Sequence, residues 1–136
     1  MTAPRVWLGA DGIVHVDYQT VGVLTLATVK AELEFRRTLV PGRQLVLARL
    51  PGIWRVEVDA AVFLASREIV RHTLAQAGVV ESSMGVAALR VLELYHPPPF
   101  PFRIFGSEED GRAWLLGLDT GAGREGNDHP NLRTHW

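Results

Sequence analysis

Side chains able to act as acid, base, nucleophile or metal ligand are scattered through the 136-residue sequence, and their spacing decides whether they act together. The five histidines, His15, His72, His96, His129 and His135, include no pair at the i, i+4 spacing with which a helix builds a zinc site. His15 on a hairpin and His72 near a helix end read as solvated surface residues. The serines are Ser66, Ser82, Ser83 and Ser107, and none lies in a G-x-S-x-G elbow. Ser82-Ser83 and Ser107 each stand just before a helical run, where capping explains them without catalysis. Glu57, Asp59, Glu68 and Glu81 occur around turns, with no partner fixed by spacing for general acid–base work. Gly121-Ala122-Gly123-Arg124-Glu125-Gly126 formally matches G-x-G-x-x-G, but a helical run precedes it and a polar stretch follows. A dinucleotide loop needs the reverse, a strand before and a helix after. The chain has no cysteine, so disulfides, thiol nucleophiles and thiolate metal sites are excluded. The expectation is a protein that is not an enzyme, with no catalytic residues, no metal and no cofactor.

Charge narrows the partners. Fourteen Lys and Arg against fifteen Asp and Glu give a net charge of −1, which supplies no field for nucleic acid or anionic lipid. Arg36 and Arg37, with Arg43 beyond, are the densest basic group, and without interleaved aromatics they read as a solvated helix face. No apolar run approaches the ~20 residues that span a bilayer, and the opening "MTAPRVWLGADG" lacks the basic-then-apolar pattern of a secretory signal. No nucleic acid, no membrane insertion and a cytoplasmic location are therefore expected.

The elements that must position these residues follow from periodicity. Arg5 to Leu8 and Ile13 to Tyr18 flank Asp11-Gly12, the signal of an antiparallel hairpin. Thr25 is placed to cap a helix in which Leu26, Val29, Leu33, Arg37 and Val40 recur at helical spacing, and Pro41-Gly42 ends it. Gln44 to Leu50 is a near-continuous apolar run of the kind found mid-sheet. Asp59 is expected to cap a second helix, with Ser66 either inside it or starting a new one. Thr73 to Val80 reads as a further strand, and Met84 to Tyr95 as a helix burying Val86, Leu89, Leu92 and Tyr95. "HPPPFPFRIF", residues 96 to 105, is a stiff connector into a last strand over Phe102 to Phe105, because proline cannot continue the helix and biases its neighbours to extended conformations. An exposed polyproline ligand is the minor alternative. Ser107-Glu108-Glu109-Asp110 forms a capping box for a final helix carrying Trp114, Leu115 and Leu118. Residues 1–118 thus read as a single domain, and 119–136 as a flexible polar tail.

One loop resists assignment. "LPGIWRVEVDAA" places Ile53, Trp54, Val56 and Val58 in a long connection between the third strand and the second helix. Trp54 either folds back on the core or offers an aromatic anchor to a partner, a role for which tryptophan is favoured.

The order of elements resembles the STAS domain, the fold of bacterial anti-sigma factor antagonists. It resembles more closely small bacterial STAS-like proteins, through "VWLGADGIVHVDY" at the start and, later, Val86 to Tyr95, Pro98-Pro99-Phe100-Pro101, Arg103-Ile104-Phe105 and Ser107 to Leu116. The resemblance spans residues 5 to 118. It implies an α/β fold, a mixed sheet with an N-terminal hairpin and about four helices. In the antagonists an Asp-Ser-Ser-Gly segment at a helix start carries the serine that a partner kinase phosphorylates. The matching segment here is Asp59-Ala60-Ala61-Val62, without a hydroxyl. Phosphorylation acts by placing negative charge at that helix start, so the switch cannot run at this position.

Two functions from different classes follow. The leading one is a regulatory or protein-interaction domain that engages a protein partner through Trp54, Arg55, Glu57 and Asp59. The second is a binder of a small apolar molecule or lipid, in a pocket lined by Phe63, Leu92, Tyr95 and Phe100. A homodimer through an exposed strand or helix face is also expected, although the sequence does not choose the face.

Overall fold

In the computed structural model, which describes residues 3–118, β1 (Arg5–Leu8) and β2 (Val14–Asp17) form the expected antiparallel hairpin, with Trp7 opposite His15. A two-residue strand, β3 (Val23–Leu24), leads into α1 (Leu26–Leu39), whose first turn is capped by the Thr25 hydroxyl accepting from Thr28 N–H at 3.2 Å. β4 (Gln44–Arg49) follows, then β5 (Arg55–Val56), α2 (Val58–Leu64) and α3 (Arg67–Val70). β6 (Thr73–Val79), α4 (Ser83–Tyr95), β7 (Phe102–Phe105) and α5 (Glu108–Gly117) complete the domain. The main sheet has the order β1-β2-β4-β6-β7, with every pair after the hairpin parallel. The proline run lies between α4 and β7, as its chemistry requires. Among the described residues, no helix is long and apolar enough to cross a membrane.

Strand alternation divides the core into two layers. Val14, Val16, Val46, Ala48 and Val80 meet Val29, Leu33, Ala60, Ile69, Leu89 and Leu92 on the face covered by α1 to α4. Ile13, Leu47, Ala75, Ala77 and Val79 face the other way and pack with Leu115 of α5, with Phe105 and Trp114 at the margin. Ser82 and Ser107 are caps, accepting from Gly85 N–H at 3.0 Å and Asp110 N–H at 3.1 Å.

Several expectations are corrected. Asp59 is not the cap of α2: Glu57 occupies that position, and the Asp59 carboxylate accepts from the neighbouring Ala60 N–H. Of the two alternatives for Ser66, the structure takes the restart, with Ser66 at the N-cap position of α3, which makes five helices among the described residues. Tyr95 points away from the core and is 69% exposed. His15 is buried rather than solvated, its ring stacked on Trp7 at 5.2 Å and its Nε2 3.4 Å from Asp11 Oδ2. His72 is half-buried, with its Nδ1 enclosed. The tail assigned to 119–136, with its glycine motif, His129 and His135, lies outside the described residues.

The largest correction concerns Arg36, which is 1% exposed. Its Nε donates to Gln44 Oε1 at 2.9 Å and its Nη1 to Glu32 Oε2 at 3.2 Å, while Nη2 donates to the His72 carbonyl and to Thr73 Oγ1. Gln44 Nε2 in turn donates to the carbonyls of Arg36 and Val40 at the end of α1. Tyr18 Oη donates to Glu32 Oε1 at 3.4 Å. One guanidinium fork thereby ties α1 to the first residues of β4 and β6, a geometry that lysine's single ammonium would not reproduce. Burial raises the Glu32 carboxyl above its ordinary value, against the pull of Arg36. Burial, together with the Glu32 charge, holds the Tyr18 hydroxyl well above its own.

Candidate functional site: the Trp54 groove

The connection after β4 folds back on the core through Ile53, not through Trp54. Ile53 is fully buried and donates its N–H to Leu50 O, which fixes the chain before Trp54. Trp54 and Arg55 both donate backbone N–H to Gly22 O, at 2.9 and 3.3 Å, and β5 then pairs in parallel with β3. Glu57 N–H donates to Leu24 O. Held on both sides, Trp54 projects outward and is 50% exposed. The indole lies directly against Gly22, where an added Cβ would come within 2.7 Å of Nε1. Only glycine leaves that space.

A second glycine brings the opposite wall close. A Cβ on Gly85, in the first turn of α4, would stand 3.2 Å from both the Ile53 carbonyl and Ile53 Cγ2. The absent side chain lets α4 settle against the Ile53 turn. Between α4 and the β5–α2 segment lies a groove of about 350 Å³. Trp54, Val56 and Val58 form one wall, and Ala88, Val91, Leu92 and Tyr95 the other. Arg55 and His96 also line it, Arg55 bringing a guanidinium to its edge. Arg55 reaches an adjoining open depression with Glu57, Val58, Asp59 and Val62.

The residues singled out from sequence are thus redistributed. Trp54 and Arg55 share one groove with Leu92 and Tyr95, although the sequence placed them in two different sites. Glu57 and Asp59 line the neighbouring depression. Phe100 is buried in the core, and Phe63 is half-buried against it, with the Lys30 ammonium 5.7 Å above its ring. Neither borders the groove. Val56 and Val58 were noted in the loop but not assigned to a site, and Ala88 and Val91 were not singled out from sequence. On α4 a signal was present, since Ala88, Val91, Leu92 and Tyr95 recur at i, i+3, i+4, i+7, but the face read from sequence ran through Val86, Leu89, Leu92 and Tyr95 and was assigned to the core.

The chemistry available here is apolar capture beside a fixed positive charge. Among the described residues, no three His, Asp or Glu side chains converge so as to hold a metal ion. Ala60 and Ala61, at the positions where the STAS resemblance expects serines, are buried against the core.

Comparison with known proteins bears on the fold. A family model described as "Domain of unknown function (DUF7793)" matches residues 6–118. None of the curated proteins compared matches the chain. Among solved structures, an uncharacterized protein of the DUF3478 family with a SpoIIAA-like fold, from Shewanella loihica PV-4, is similar at 15% identity and a TM-score of 0.53. The likeness covers 83% of this chain and 92% of that one. At this identity it shows the SpoIIAA-like, STAS-like α/β architecture and nothing of activity.

Proposed function

The chain belongs to the DUF7793 family and carries a SpoIIAA-like fold, and on that premise we propose that it is a non-enzymatic, regulatory protein-interaction domain whose partner occupies the Trp54 groove. The observation that carries this reading is the pair of exposed aromatics, Trp54 and Tyr95, on opposite walls of an apolar groove. Val58, Val62 and Val91 extend the same surface, each more than half exposed. Covering half of each ring removes on the order of 200 Å² from water, about 5 kcal/mol of gross driving force at ~25 cal/mol per Å². The backbone of Trp54 is already hydrogen-bonded in place, so little ordering cost falls on this side of the complex. A partner side chain of aromatic or branched aliphatic type, with a carboxylate next to it for Arg55, fits the groove.

The test is affinity capture from native lysate with the eluate analysed both for proteins and for extracted small molecules. A stoichiometric protein lost in Trp54→Ala and Tyr95→Ala, but retained in Leu116→Ala on α5, supports the reading. Retention of that protein by folded Trp54→Ala sinks it. The groove volume also favours a second reading, a small apolar ligand or lipid, since ligand sites begin near ~300 Å³. A stoichiometric apolar molecule with no protein partner would transfer the function to that reading.

A further inference from the structure

The two edges of the sheet are built differently. β7 carries the exposed Arg103 in mid-strand, its guanidinium over the Phe105 and Trp114 rings, and is entered through Pro101. Such a charge is a common guard against strand addition. β1 is likewise entered through a proline, Pro4, but has no charge in mid-strand. It pairs with β2 in unbroken register from Arg5–Asp17 to Leu8–Val14, and its one charge, Arg5, lies at the strand's start with the guanidinium over the Trp7 ring. Among the described residues, no strand pairs with its outer side.

The geometry points to a two-fold dimer of this chain in which β1 pairs antiparallel with β1 of a second copy, centred on Trp7, to continue the sheet across the dyad. This is independent of the Trp54 groove. The register follows from the hairpin. Gly9 N–H donates to Ile13 O, and hydrogen-bonded pairs alternate along an antiparallel ladder, so Arg5 and Trp7 turn their backbone groups toward β2. Val6 and Leu8 therefore present N–H and C=O outward. Setting Val6 opposite Leu8 of the second copy uses the outward groups of both residues in both chains. A register centred on Val6 instead would oppose Leu8 to Pro4, which has no N–H to give.

The side chains agree with this register. Trp7, 37% exposed, meets its own copy in a non-hydrogen-bonded pair, the closer of the two pair types and one that favours aromatics. Arg5 falls opposite Gly9, so no like charges face each other. On the helical face, Leu8, Phe35 and Leu39 are all exposed. By helical position, Phe35 and Leu39 lie on the flank of α1 away from Lys30, which reaches toward α2, and thus on the β1 side. The two α1 helices would bring these residues together above the seam. The exposed parts of Trp7, Leu8, Phe35 and Leu39 with the strand backbone amount to on the order of 1,000 Å² over both copies, the lower bound for a specific interface. A dimer of this size is reversible and concentration-dependent, and the proposal requires a Kd of no more than about 100 μM.

The chain has no cysteine, which makes a positional test clean. Trp7→Cys, oxidised with copper phenanthroline, is expected to give a disulfide-linked dimer, because directly opposed residues bring Cβ atoms to about 4.5–5.5 Å, near disulfide reach. Leu116→Cys on α5, similarly exposed, is expected to remain largely monomeric. Sedimentation equilibrium of the full chain should show a reversible dimer that Phe35→Lys weakens at least about tenfold while circular dichroism stays unchanged. Phe35 lies outside β1, so this variant does not disturb the strand itself. A wild-type chain that is monomeric up to about 200 μM overturns the proposal, since it requires a Kd below that. So does a dimer indifferent to Phe35→Lys, or a Trp7→Cys chain that cross-links no better than Leu116→Cys.

Discussion

The Arg36 cluster and the Trp54 groove invert the usual association of polar residues with function and apolar residues with structure. Around Arg36, a glutamate, an arginine, a glutamine, a threonine and a tyrosine are buried together and bonded to one another. Around Trp54, valines, a tryptophan and a tyrosine stand in solvent with nothing over them among the described residues. The first cluster answers its own polar demands, so it holds elements together and offers nothing to a ligand. The second leaves a hydrophobic demand open, and that demand is what a partner can answer. Reactive residue types therefore mark the structural region here, and inert ones the groove proposed to bind.

The sharpest way to break that contrast is to remove the centre of the polar cluster. Arg36→Leu leaves the Glu32 carboxyl buried without its counter-charge, and about 3–5 kcal/mol of stability should be lost. The pH dependence gives the sign. The folded-state value of Glu32 is already raised by burial, and losing Arg36 removes the interaction that lowers it. An acid whose folded value lies above its unfolded value of about 4.3 costs stability as pH rises through that window. Urea denaturation should thus show Arg36→Leu losing more stability at neutral pH than near pH 4.5. A double variant, Glu32→Leu with Arg36→Leu, should recover much of the loss and remove this slope. If the double variant is no more stable than the single one, the ion pair is not what the cluster contributes.

The same contrast explains what was legible in the sequence. The long elements were, because 3.6-residue and alternating patterns over α1, β4, β6, α4 and α5 are set by the core layers they face. Arg36 was not, because its partners Gln44 and Thr73 are distant in sequence and arrive only once β4 and β6 lie side by side. β3 and β5 were also missed. Two-residue strands carry too little periodicity, although Trp54-Arg55-Val56-Glu57-Val58 does alternate apolar with charged. Of the site, Trp54 and Tyr95 were picked out for their types, but no spacing showed that they face each other across forty residues of chain. Phe63 and Phe100 were picked out on the same grounds and belong to the core.

The groove can be tested by moving its walls. Gly85→Ala drives a Cβ against the Ile53 carbonyl, so α4 must shift by a few tenths of an ångström. A cost of about 1–3 kcal/mol by denaturation, accompanied by weaker partner capture, is expected. Gly22→Ala is milder, because the conflicting atom is the Trp54 indole, which can swing outward. It should cost under about 1 kcal/mol yet weaken capture at least about tenfold, since the ring leaves its place in the wall. Capture unaffected by Gly22→Ala would mean that the position of Trp54 is not what the partner reads.

An ion pair with one exposed partner, the Arg112 side chain at 48% against 10% for Asp11, provides the smallest effect and a reference for the fully buried one. Arg112 Nε donates to Asp11 Oδ2 at 2.8 Å, linking the hairpin turn to α5, with Arg112 about half exposed. Partial burial raises the Asp11 carboxyl, but the bonds from Arg112 and the Ile13 N–H, with His15 beside them, outweigh it, and the net shift is downward. This sign is opposite to that of Glu32. Asp11 adds stability above its unfolded value of about 3.9 and loses it as pH falls toward the folded value. Asp11→Asn should therefore cost less than about 1 kcal/mol at pH 7, with the difference from wild type vanishing in acid. Denaturation curves of both proteins from pH 7 down to about 2.5 would check this. A loss approaching that of Arg36→Leu would mean that exposure does not separate the two pairs, and that saturation rather than burial distinguishes the Arg36 cluster.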